Sequence, residues 1–372
     1  MTPLRVIHLV ANRWWTGGAE PALSLALTLK ARGHHVRFGC IRGDALDARA
    51  SEAGLPPLPG LSLDRTVRPW VIGADVARLR RLVRAEGTDV VHAHQTHDHW
   101  VAALALGSAP TRLVRTVHHR RAIHEGPASR WLVRRTHAFL AASGGIAEGL
   151  REAGVPETRI TLSPGAVDTE HFGRAVDGGA VRAALGLGPA PVVGCVARLV
   201  PGRGHDILLH AARHLRARVP GLRVLLVGRG EGRPAIERLV AELDLGSVVV
   251  FAGYRDADLP EVLAAMDCFV LLGAGSEESC RAVLEAMAAA RPVVAARVGA
   301  LPDTVVHGET GWLVEPEPEE VARRVEAILT GREVARRMGE AGRRRAAEHF
   351  TPEGRALTVE AVYARALAER LP

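Results

Sequence analysis

A single lysine, Lys30, stands among 48 basic residues in this 372-residue chain, which holds only four cysteines and 4% aromatic residues. Cys40, Cys195, Cys268 and Cys280 form no CxxC pair. Neither a disulfide framework nor a zinc knuckle is indicated, and reduced thiols in a cytoplasmic chain are expected. No apolar run reaches the roughly 20 residues of a membrane-spanning helix. Asp267, Arg291 and Arg297 interrupt the longest ones. The opening MTPLRVIHLV lacks the basic segment and long apolar run of an export signal. Basic stretches interleaved with aromatics are missing too, so nucleic acid is not an expected partner.

What is present is ordinary globular material: 47% hydrophobic and 24% charged residues, enough for two domains with cores of their own. The net charge of +7 is carried by arginine. It suits anionic partners such as nucleotide phosphates, acidic glycans or anionic lipids, and it equally fits a compositional bias. Residues 78–87 and 120–137 are basic and partly amphipathic. Trp131, Leu132 and Val133 beside Arg130, Arg134 and Arg135 form a candidate contact with an anionic membrane surface. The other reading is a solvated helix face.

Apolar runs of strand length alternate with helical patterns along the whole chain. Strands are predicted at 4–10, 36–41, 90–92, 113–117 and 138–142, and again at 191–197, 222–228, 248–253, 268–272 and 292–296. This alternation implies an α/β fold with parallel sheets covered on both faces. The pattern restarts near residue 191, after a Gly-, Pro- and Asp-rich stretch at 163–179 that reads as a linker. Two doubly wound, Rossmann-like domains facing across a cleft are expected, over residues 1–166 and 167–351. The final helix, 352–372, is expected to pack back on the first. Ligands of such folds bind at the carboxyl ends of the strands.

Residues 273–314 carry the most chemistry. Glu277 lies on a loop after a strand, and Glu285 lies eight residues later, inside a helix predicted to start near Ser279 as N-cap. A helix N-terminus suits phosphate, and carboxylates suit sugar hydroxyls. Phosphate beside hydroxyls is what a nucleotide sugar presents.

This stretch resembles the two-glutamate region of glycosyltransferase family 4, whose members are retaining enzymes of the GT-B fold. The resemblance includes LEAMA (284–288), Pro292-Val293-Val294, Gly299 and HGETGWLV (307–314). It continues in order through TGGAE (16–20), ARGHHV (31–36), DVVHAH (89–94), RTVHH (115–119), SPGAVDTEHF (163–172), VARLVPGRGHDILL (196–209), and the runs 224–239 and 249–272. It implies a nucleotide-sugar donor and a glycan or lipid-linked acceptor, with a cell-envelope polysaccharide or lipopolysaccharide step expected. It also implies no bound metal, although His92, His94, His97 and His99 with Asp98 have metal-ligand spacing.

Carried over by position, Arg198 and Arg203 match the family's phosphate-binding Arg and Lys. Glu285 matches its ribose-binding glutamate, and Glu277 the glutamate that holds the donor sugar. His118 matches a histidine near that sugar. Gly17 and Gly18 match the first glycine loop, and Tyr254 lies where the base is recognised. Ser279, Cys280 and Arg281 complete the donor loop. Two departures stand out. Arg203-Gly204 replaces Lys-Gly, and Glu277-Glu278-Ser279-Cys280 replaces E-G-F-G, with Glu278 a candidate partner for Arg281. In the implied mechanism Arg198, Arg203 and the helix N-terminus stabilise the departing diphosphate. The alternatives are a catalytically degenerate GT-B protein that binds nucleotide or glycan, and a GT-B phosphorylase or nucleotide-sugar epimerase.

Overall fold

A computed structural model describes residues 2–13, 15, 18–66, 68–107, 109–123, 126–273 and 280–368. The chain forms two compact units. One runs to Gly165 and regains the last helix from Pro352 onward; the other is Ala166–Thr351.

The first unit is built on a parallel sheet of β1 (Arg5–Val10), β2 (His35–Cys40), β3 (Val90–Ala93), β4 (Arg112–Val117), β5 (Ala138–Ala141) and β6 (Ile160–Leu162). Their order is β2-β1-β3-β4-β5-β6. β3 and β5 are buried along their whole length, as expected of strands covered on both faces. One apolar layer includes Leu25, Leu29, Phe38 and Leu140 together with Val359, Val362 and Tyr363 of the last helix, Pro352–Ala368. The other includes Leu9, Leu63, Leu79, Val91 and Val101. Glu360 fastens the last helix further. Its carboxylate accepts from Arg32 at 2.6 and 2.9 Å and lies 3.1 Å from His34 Nε2.

The second unit holds β7 (Val192–Val196), β8 (Arg223–Val227), β9 (Val249–Gly253), β10 (Cys268–Leu271), β11 (Val293–Ala296) and β12 (Gly311–Val314). Their order, β12-β11-β10-β7-β8-β9, is also parallel. Each sheet reverses its winding once, between β1 and β3 in the first unit and between β7 and β10 in the second. At such a switch point the loops leaving the strand ends diverge and leave room for a ligand. Both doubly wound sheets match the expected fold class.

Candidate active site

In the second unit the switch point is assembled from the loops that leave β7 and β10. Gly204 takes φ +74° at the N-cap of the helix His205–Leu215, with no side chain capping that end. A Cβ on Gly204 would come 2.5 Å from Leu272 Cβ, and one on Gly273 would come 2.3 Å from the Gly202 carbonyl oxygen. The two loops therefore touch backbone to backbone, which side chains at these positions would prevent. The first N–H groups of the helix face outward with partial positive charge, a setting that suits phosphate. Arg203 immediately precedes this helix end. Arg198 is more than half exposed and lies 3.6 Å from Glu231, an ion pair too exposed to hold it firmly. Below them Cys195 is buried, and burial pushes its thiol up to about 12, so it is inert as a nucleophile.

The helix that carries Glu285 runs from Arg281 to Ala288. Its start corrects the sequence reading: the N-cap is Cys280, in the left-handed conformation with φ +49°, and not Ser279. The usual glycine at this position suits that backbone, and cysteine holds it at a cost of about 1–2 kcal/mol. Ser279, Glu277 and Glu278 lie outside the described residues. Arg281 Nε lies 2.8 Å from Glu285 Oε1, one turn along the helix. Glu285 is 4% exposed, and a carboxylate buried so deeply needs such a partner.

Tyr254 follows β9 and is half exposed, with the Arg229 guanidinium 4.9 Å above its ring. Arg229 was missed in the sequence. Its carbonyl accepts from Leu199 N at 3.1 Å, which ties the loop after β8 to the Arg198 loop. Arg198, Arg203, Arg229 and Arg281 thus all belong to loops or helix starts at the carboxyl ends of the second sheet. The open groove lined by Pro191, Arg216, Pro220 and Asp244 lies at the opposite strand ends. Its Arg216 is already bonded to Asp244.

In the first unit His118 directly follows β4 and is 4% exposed. It belongs to a file of buried imidazoles. His8 Nδ1 lies 3.0 Å from His94 Nε2, and His94 Nδ1 lies 3.3 Å from His118 Nε2. His92 stacks on His94 with ring centres 4.3 Å apart. Burial, aided by the Arg355 guanidinium and for His118 also by Arg115, holds His8 and His118 down at about 3. Gly18 packs beside this loop, with its Cβ direction 3.1 Å from Gln95 Nε2, while Gly17 lies outside the described residues. Asp98 pins the loop after β1 to the loop after β3, accepting from Ala11, His94 and Gln95 N–H groups at 2.8, 3.1 and 2.9 Å. His99 bonds Thr136 at 2.8 Å and faces away into the core.

The large apolar residues of the helix Pro127–Arg135 are turned inward. Leu132 is buried, Trp131 stacks on Trp100 with centres 5.7 Å apart, and Val133 packs against the cluster around Ile146. Arg130, Arg134 and Arg135 are exposed, as are Pro127 and Ala128 at the start of the helix. Among the described residues no helix is long and apolar enough to cross a membrane.

Comparison with known proteins agrees with this geometry. Residues 181–345 match the family model of glycosyl transferases group 1, and residues 15–171 match that of glycosyltransferase family 4. The chain is 32% identical to the GDP-mannose-dependent alpha-(1-6)-phosphatidylinositol monomannoside mannosyltransferase of Mycolicibacterium smegmatis, over 74% of this chain and 70% of that protein. It is 34% identical to the D-inositol 3-phosphate glycosyltransferase of Rhodococcus opacus, over 79% and 73% respectively. Among solved structures, a glycosyltransferase from Rickettsia africae superposes with a TM-score of 0.88 at 19% identity over 100% of both chains. Anabaena HepE in complex with UDP and glucose superposes with 0.83 at 20% identity, over 97% of this chain and 99% of that one. With both units matched, the sheets wound as the GT-B fold winds them and the relatives aligned over most of their length, the chain belongs to glycosyltransferase family 4.

Proposed function

We propose that this transferase moves a sugar from a nucleotide donor to a glycan or lipid-linked acceptor with retention of anomeric configuration, in cell-envelope glycan synthesis. The observation that carries the reading is the second unit's switch point, where Arg198, Arg203 and the uncapped start of His205–Leu215 meet beside the helix that bears Glu285. Diphosphate gains negative charge as the sugar leaves, and fixed cations and N–H dipoles stabilise that charge more than the ground state. Glu285 holds the ribose hydroxyls, with Arg281 yielding part of its ion pair to the incoming donor. Tyr254 and Arg229 flank the base. Glu277, Ser279 and Cys280 complete the loop toward the sugar, and Gly17, Gly18 and His118 serve the sugar or acceptor from the first unit.

The relatives named for mannosyl and inositol phosphate transfer support a polyol or lipid-linked acceptor. The reading needs no bound metal, since arginines supply the countercharge. Peripheral contact with an anionic membrane is proposed through the exposed Arg130, Arg134 and Arg135. The direct test is product stereochemistry. With GDP-mannose or UDP-glucose and a panel of inositol- and lipid-linked acceptors, NMR of the product should show the donor's α configuration kept. A β product would overturn retention, and donor turnover to an epimer without any acceptor would favour the epimerase reading.

A further inference from the structure

The buried imidazoles of the first unit form a directed array, and its direction follows from one nitrogen. His8 lies in the second half of β1, His94 directly follows β3 and His118 directly follows β4, and with β3 between β1 and β4 the topology brings the three rings side by side. His8 Nδ1 bonds His94 Nε2, and His94 Nδ1 bonds His118 Nε2. A neutral imidazole has one donor and one acceptor nitrogen, so fixing one ring fixes all three. His8 Nε2 is buried and, among the described residues, has no hydrogen-bond partner. A buried N–H without an acceptor is the rarer and costlier orphan, so the His8 proton belongs on Nδ1. His94 then carries its proton on Nδ1 and donates it to His118 Nε2.

The same rings do not make a metal centre. His92 spends both nitrogens, on Tyr363 Oη at 2.6 Å and on Thr116 Oγ1 at 2.7 Å, and His94 spends both on its neighbours. Two guanidiniums face the array, the half-buried Arg355 from the last helix and the buried Arg115 from β4, and both oppose a further cation.

We propose that His8 and His94 are positioning residues that hold His118 as a neutral imidazole with its proton on Nδ1, so that His118 meets substrate as a hydrogen-bond donor and not as a base. That His118 meets the transferred sugar rests on the transferase reading; the direction of the array does not. The ring nitrogens of the full chain, labelled with 15N-histidine, report the tautomer through long-range 1H–15N correlations, with His118→Gln giving the assignment. The account expects the Nδ1–H tautomer for His118 in the unliganded protein. Finding the proton on Nε2 would overturn it, and that result requires no variant beyond the assignment.

In His94→Leu, folded by its melting transition, His118 should lose its fixed tautomer; an unchanged tautomer would overturn the positioning role. In the same variant, affinity for GDP-mannose or UDP-glucose should fall about 5-fold, the size of one hydrogen bond, while affinity for GDP or UDP stays the same. Equal losses for sugar and diphosphate would point to general damage and count against the proposal. If neither nucleotide sugar binds wild type, the transferase reading fails while the tautomer still decides the array.

Discussion

Gly204 and Gly273 let two loops meet at backbone distance, and that contact shapes the end of the site proposed for the diphosphate. Gly204→Ala would combine a left-handed backbone with a Cβ 2.5 Å from Leu272 Cβ. We expect about 2–4 kcal/mol lost from the second unit's stability and at least a ten-fold loss of nucleoside diphosphate affinity, read by urea unfolding and calorimetric titration. Cys280 shows the reverse situation, a non-glycine in glycine-like backbone with φ +49°. Cys280→Val, being β-branched, should cost more stability than Cys280→Gly, and the two melting temperatures compare them directly. The departure from E-G-F-G was readable in the sequence, but the position of the cap was not. Ser279 has the chemistry of an N-cap, and the helix starts one residue later than that because Cys280 takes the turn. Arg229 escaped notice for a related reason: an arginine in a Gly-rich loop carries no signal until a strand end places it over Tyr254.

At the scale of elements, the ten strands read from apolar runs all exist, each within one or two residues of the expected ends. The two that were not read, β6 (Ile160–Leu162) and β12 (Gly311–Val314), are short edge strands. An edge strand need not be apolar on both faces, so its sequence looks like loop. The last helix depends on contacts no local pattern reveals, since Glu360 meets Arg32 and His34 from the far end of the chain. Glu360→Ala should loosen this helix by about 1–3 kcal/mol, seen as faster amide exchange across 352–368. Tyr363→Phe removes the hydroxyl that bonds His92 and should cost about 1–2 kcal/mol, measured by urea midpoint.

At the scale of the whole molecule, the buried histidines dominate the response to acid. His8 and His118 sit at about 3, and burial drives His92, His94 and His99 well below their ordinary value. Unfolding returns each to roughly 6.5, so below that pH the unfolded chain binds more protons than the folded one. Stability is therefore full at pH 8 and falls as pH drops from about 6.5 toward 3, by up to about 1.4 kcal/mol per pH unit for each histidine. Asp98, pushed up to about 7 by burial, works in the opposite sense and offsets one of them. A urea midpoint that stays flat from pH 8 to pH 5 would contradict this. The doubly wound fold was legible because inner strands such as β3, β5, β10 and β11 are buried along their whole length. The imidazole file was legible only as histidines in a row, because stacking across β1, β3 and β4 exists only once the sheet is formed. The central claim concerns the second unit, and binding tests it most directly. Calorimetric titration of wild type, Arg198→Ala and Glu285→Ala with GDP, UDP and their sugars should show one base bound by wild type and at least ten-fold weaker binding in both variants. Binding that survives both substitutions unchanged would contradict the placement of the donor at the ends of β7 and β10.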